Sequence, residues 1–90
     1  MRLEWADEAR FVDLPRLAEF PGASAEAIRA LAAAPELLLT QPRMGAPLHS
    51  FEPREVRRWI VQHYEIRYEL TADRLIILRV FHTRENRLTH

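Results

Sequence analysis

Polar and apolar positions alternate most cleanly in the last third of the chain. Tyr64, Ile66, Tyr68 and Leu70 fall on one face, and Glu65, Arg67 and Glu69 on the other, the period of two that marks a half-buried strand. The pattern assigns the first face to the core and the second to water. After a short turn at Thr71-Ala72-Asp73, the run from Arg74 to Asn86 sets Ile76, Leu78 and Val80 on one face and Leu75, Ile77, Arg79 and Phe81 on the other. Both faces are too apolar for an edge, so this run is predicted to be the central strand.

The same pattern extends upstream. Arg2-Leu3-Glu4-Trp5 alternates and predicts a short edge strand. Asp7 is placed to cap a following helix in which Phe11, Leu14 and Ala18 recur at helical spacing, with a kink expected at Pro15. Phe20-Pro21-Gly22 ends it, and Ser24 caps a second helix with Ile28, Leu31 and Leu38 on one stripe. Pro35 splits that stripe into Ala25 to Ala34 and a shorter turn from Glu36 to Thr40. Gln41 to Pro47 is a loop, Arg57 to Val61 a strand with Trp59 and Val61 on one face, and Val61 to Tyr64 a hairpin turn. The predicted fold is α+β: an N-terminal edge strand, a helical hairpin, then an antiparallel β-meander whose apolar face the helices cover.

Ninety residues suit a single domain over 1–90. Thirteen basic and thirteen acidic side chains cancel, which argues against binding driven by bulk attraction to phosphate. The absence of cysteine excludes a disulfide framework and thiolate chemistry and suits a reducing cytoplasm. No stretch approaches the roughly 20 apolar residues of a membrane span, so a cytoplasmic protein without a membrane partner is expected.

Candidate chemistry is sparse. Arg54, Arg57, Arg58, Arg84 and Arg87 form a candidate basic patch, since guanidinium forks suit phosphate or carboxylate. Glutamates intersperse them, the usual composition of a solvated face. None of the four histidines has ligand spacing, so neither a metal site nor a cofactor is expected. His82 ends the last strand beside Thr83-Arg84-Glu85, where an imidazole titrating near about 6.5 is a candidate proton carrier. Two glycines are too few for a phosphate-binding glycine loop.

Arg57-Arg58-Trp59-Ile60-Val61, His63-Tyr64-Glu65-Ile66-Arg67-Tyr68 and Ile77 through Arg87 resemble the C-terminal half of toxins of the ParE/RelE superfamily, the ParE branch more closely. Pro42-Arg43-Met44-Gly45-Ala46-Pro47 resembles the family's Pro-x-x-Gly-x-Pro loop, and the element order matches the family fold. The resemblance implies the toxin of a bacterial type II toxin–antitoxin pair, held in a hetero-oligomeric complex by a cognate antitoxin. RelE-like members cleave mRNA on the ribosome and carry a basic residue after the tyrosine equivalent to Tyr64, where this chain has Glu65. If this chain were such a ribonuclease, Arg58, His82 and Arg84 would carry the chemistry. ParE-like members inhibit DNA gyrase without a catalytic centre. Target binding is expected at the tail Arg84, Glu85, Asn86 and Arg87, which is short, polar and free of the core. Antitoxin binding is assigned to Leu75, Ile77 and Phe81. A third possibility keeps only antitoxin binding, without toxicity.

Overall fold

The computed structural model describes residues 1–85. Strand β1 (Arg2–Trp5) leads into a π-helical segment (Glu8–Asp13) and helix α1 (Leu14–Ala18). Helix α2 (Ala25–Ala33) continues as a 3₁₀ segment (Ala34–Leu39). A two-residue strand β2 (Ala46–Pro47) and a short 3₁₀ turn (His49–Phe51) precede β3 (Glu55–Val61), β4 (Tyr64–Leu70) and β5 (Arg74–His82). The sheet order is β1-β5-β4-β3-β2. β1 runs parallel to β5, and the other pairs are antiparallel. The α+β architecture is the predicted one, with β4 rather than β5 at the centre.

The β5 alternation departs from the prediction. Arg67 faces Arg79 but Tyr68 faces Ile77, so one extra residue is accommodated at Leu78. A bulge of this kind reverses the sense of alternation downstream of it. Leu75 and Ile77 before it and Val80 after it therefore all reach the core, each fully buried. Counting by twos through the interrupted ladder assigns Leu75 and Ile77 to the opposite, partner-binding face. That assignment is corrected: both are covered by this chain's own helices.

The first helix also differs. Asp7 makes no side-chain cap, and Pro15 stands in the first turn of α1, directly after the π segment. Upstream, the chain winds as a π segment; across the two segments Ala9, Asp13 and Leu17 turn inward, all fully buried, and Phe11 is exposed. The predicted kink is a change of winding. In α2 the prediction holds: Ser24 Oγ accepts from the Ala27 N–H at 3.0 Å, and the helix gives way to the 3₁₀ segment around Pro35. Leu31 and Leu38 pack with Leu17 against Ile66, Tyr68, Leu75 and Ile77 of the sheet.

The family-like loop is held by one tyrosine. Tyr68, fully buried, donates its hydroxyl to the Pro42 carbonyl at 2.7 Å and accepts from the Gly45 N–H at 2.9 Å. Arg57 donates to the Gly45 carbonyl at 2.6 Å. Burial pushes the Tyr68 phenol above its ordinary pKa, so it stays a neutral donor at any physiological pH.

Candidate functional site

The richest cluster of polar side chains forms where β1 stops and β5 continues. β1 pairs with β5 only as far as Trp5 opposite Ile77, leaving the edge of β5 open beyond. Side chains of the first helical segment complete it. Asp13 Oδ2 accepts from the Val80 N–H at 2.9 Å, and Arg16 donates to the Val80 carbonyl at 3.1 Å. Asp13 also takes two hydrogen bonds from Arg79, at 2.9 and 3.1 Å, and one from Arg16 at 3.1 Å. This carboxylate has no exposed surface, and its donors supply the hydrogen bonds that a buried charge requires. Arg16 in turn pairs with Glu85, whose other oxygen accepts from the His82 N–H at 2.7 Å.

Beyond this node the end of β5 packs against the tip of the helical hairpin. The His82 ring stacks on Phe20, with centroids 4.5 Å apart, lies near-parallel to His63 at 6.1 Å, and meets the edge of Tyr64 at 5.4 Å. Its Nδ1 accepts from the Arg84 N–H at 3.0 Å, which fixes the neutral ring with its hydrogen on Nε2. Burial, then the charges of Arg84 and His63, hold the imidazole below its ordinary pKa.

The predicted ribonuclease residues do not converge. Arg58 faces Arg67 on the sheet surface turned away from the helices, whereas His82 pairs with Tyr64 on the helix side. Arg84 joins His82 but not Arg58. On the outward surface Glu65 and Arg67, predicted to face water, are buried: Arg67 Nε donates to Glu65 at 2.8 Å, with Arg58 Nε 4.0 Å from the same carboxylate. Phe81 lies on that surface between the Arg67 and Arg79 guanidiniums, 5.3 and 4.9 Å from its centroid. Of the predicted target-binding tail, Glu85 is engaged by Arg16 and His82, Arg84 is exposed, and Asn86 and Arg87 lie outside the described residues. Among the described residues no cluster of three His, Cys, Asp or Glu could hold a metal ion, and no helix is long and apolar enough to cross a membrane.

Asp13, Arg16, Phe20 and His63 are absent from the site residues expected from the sequence. A signal for Asp13 is nevertheless present: with the Ala9–Asp13–Leu17 spacing it is the one polar residue on an otherwise apolar stripe, which flags a buried, paired carboxylate.

Three groups make stability depend on pH in one direction. Hydrogen bonds from Arg43 and then Arg57 hold the Glu55 carboxyl below its usual range, and Arg54 does the same for Glu69. His82 is lowered as well. A lowered folded-state pKa stabilises above the unfolded value and is lost as pH falls through the folded one. The urea midpoint should therefore decline as pH drops below about 6.5, through His82, and again below about 4.3, through the carboxylates. A His82→Asn variant should flatten the upper decline only; a midpoint that rises between pH 7 and 5 in the wild type would contradict this assignment.

The sequence matches the family described as the ParE toxin of type II toxin–antitoxin systems, parDE, over residues 3–87. Among solved structures it is similar to a chain of the chromosomal ParDE toxin–antitoxin system from P. aeruginosa, with a TM-score of 0.72 and 20% identity, covering 93% of this chain and 97% of that one. No curated protein matches.

Proposed function

The chain belongs to the ParE toxin family of type II toxin–antitoxin systems, and from that premise we propose that it is a cytoplasmic, non-enzymatic inhibitor of DNA gyrase neutralised by a cognate antitoxin. The observation that carries this reading over an mRNA endonuclease is the separation of Arg58 from His82 on opposite faces of the sheet. Cleavage at a ribose phosphate needs a proton donor, a proton acceptor and cations around one phosphate. Arg58 instead neighbours the buried Glu65 carboxylate, which offsets its charge on the surface where a phosphate would have to sit. Binding gyrase makes no such demand and needs only an accessible, chemically distinctive surface. The exposed Arg84, at the end of the sheet, is the described residue of the tail that meets it.

The antitoxin would cover a different surface. Phe11 and Val12 on the π segment are 65% and 53% exposed, and Leu37 and Leu39 on the 3₁₀ segment 59% and 37%. Both segments adjoin the β1–β5 end of the sheet, and the outer edge of β1 carries no strand among the described residues. Exposed apolar side chains flanking a free strand edge suit an antitoxin segment that adds a strand and buries an apolar face. These side chains replace Leu75 and Ile77 in that role. Phe11→Ser combined with Leu37→Ser should weaken the complex at least about tenfold, each side chain contributing about 1 kcal/mol or more, with the free toxin's fold unchanged. Titration calorimetry with the cognate antitoxin measures it, and undiminished affinity would move the antitoxin to another surface.

Expression without the antitoxin tests the proposed activity as a whole. Growth should stop, purified toxin should act on gyrase, and programmed translating ribosomes should show no toxin-dependent cuts in mRNA. Cuts on the ribosome would replace gyrase inhibition with endonuclease activity.

A further inference from the structure

Between the tip of the helical hairpin and the β3–β4 turn lies a cleft of about 230 Å³, with Phe20, Ala27, His63, Tyr64, His82 and Arg84 in its lining. Its charge stands out against the whole chain. The protein is neutral, with thirteen acidic side chains, yet the described residues lining this cleft include two imidazoles and a guanidinium and no carboxylate. The nearest acid in sequence, Glu85, is committed to Arg16 and to the His82 N–H.

One of the donors, His82, is also fixed in place. His82 is held by its stack on Phe20 and by the Arg84 N–H at Nδ1, 3.0 Å away, so its remaining hydrogen, on Nε2, belongs to a ring that cannot turn over without breaking that bond. The groups that face it are His63, Tyr64 and Arg84, with Glu85 on its backbone N–H. The cationic groups repel one another: Arg84 and His63 both oppose a proton on His82. A dianion between them removes that repulsion and draws a proton onto the imidazole. The cleft is smaller than the roughly 300 Å³ at which sites for drug-sized ligands begin, which limits the occupant to a compact group.

We propose that this cleft, built from His63, His82 and Arg84, is a binding site for a phosphate-bearing anion, separate from the Phe11 and Leu37 surface that suits the antitoxin. Guanidinium and imidazole donors match phosphate oxygens, and the site takes the phosphate group whether it is free or carried on a nucleotide. Phosphate binding at this cleft stands whether or not gyrase is the target.

The test is NMR of the histidine ring signals in the purified toxin during titration with inorganic phosphate near pH 6.5, at ionic strength held constant with chloride. The His63 and His82 signals should move saturably while His49, on a different turn, stays in place. The pH at which His82 titrates should rise in the presence of phosphate. Arg84→Ala should weaken binding about tenfold or more, the loss expected for a charge-assisted hydrogen bond. Ala27→Glu should weaken it comparably by setting a carboxylate in the wall. That variant is chosen to keep the fold, because Glu three residues after the Ser24 cap completes a capping box. A nucleoside monophosphate run beside inorganic phosphate distinguishes the two sources. Both should compete for one site, and a nucleotide that binds without being displaced by phosphate would overturn the assignment. Equal shifts at His49, unsaturable shifts, or full binding by Arg84→Ala in a folded protein would overturn it as well.

Discussion

Asp13→Asn should cost about 3 kcal/mol of folding stability. The carboxylate has no exposed surface and holds Arg79 through two hydrogen bonds, Arg16 through one and the Val80 N–H through another. Removing one member of a buried ion pair commonly costs roughly 3–5 kcal/mol, because the remaining charge stays buried without compensation. Here the Arg79 and Arg16 side chains keep about a third of their surface in water, 35% and 34%, so both can be partly rehydrated and the low end of that range applies. The loss is a large fraction of the roughly 5–15 kcal/mol that holds a small domain folded. Asp13→Ala should cost more, since it also strands the Val80 N–H. Glu8, 3.5 Å from Arg79 but 59% exposed, provides the contrast: Glu8→Gln should change stability by less than about 0.5 kcal/mol. Urea unfolding of the three variants measures the difference. Equal midpoints for Asp13→Asn and Glu8→Gln would show that the node contributes no more than a surface pair.

Gly45→Ala should cost about 2 kcal/mol, for a reason unrelated to backbone angles. A Cβ there would stand 2.7 Å from the Arg58 carbonyl oxygen and 2.8 and 2.9 Å from the Tyr68 hydroxyl and ring. The first contact is β3 backbone and the others a fully buried ring, so neither can swing aside. Relief requires the loop to lift, stretching the hydrogen bonds from Tyr68 to Pro42, from Gly45 to Tyr68 and from Arg57 to Gly45. Overpacking of this kind typically costs about 1–3 kcal/mol. Gly22 separates the two mechanisms. It has φ +87° and nothing within 4 Å, so Gly22→Ala should lose only about 1 kcal/mol, through the left-handed backbone alone. Thermal unfolding of both variants decides, and a Gly45→Ala protein as stable as the wild type would mean that the loop is not docked on Tyr68.

What is legible in the sequence depends on whether the signal is local. The strand from Tyr64 to Leu70, the Ser24 cap and the breaks near Pro35 and Pro42 each depend on a few residues, and each appears where the pattern places it. The β5 faces differ from the pattern because a bulge at Leu78 is set by pairing with β4, a partner that a single-strand count cannot include. The first helix differs similarly. Its inward stripe is Ala9, Asp13 and Leu17, all buried, a spacing as helical as that of Phe11, Leu14 and Ala18, and the charged Asp13 hides it from a count of apolar residues. Alternation alone turns Glu65 and Arg67 to solvent, but adjacent side chains of opposite charge neutralise one another well enough to be buried. At the end of the sheet, His82 and Arg84 are legible as candidates. Phe20 and His63, which complete their cleft, come from turns distant in the chain and carry no shared motif.

The most direct measurement is a gyrase assay with the purified toxin, following supercoiling and the accumulation of cleaved DNA, with Arg84→Ala alongside. A gyrase inhibitor of the ParE family should block supercoiling and trap gyrase on cleaved DNA, the cognate antitoxin should reverse both effects, and Arg84→Ala should weaken them. Undisturbed supercoiling by a folded toxin that arrests growth would contradict gyrase inhibition, and mRNA cuts on programmed ribosomes in the same preparation would identify the other target.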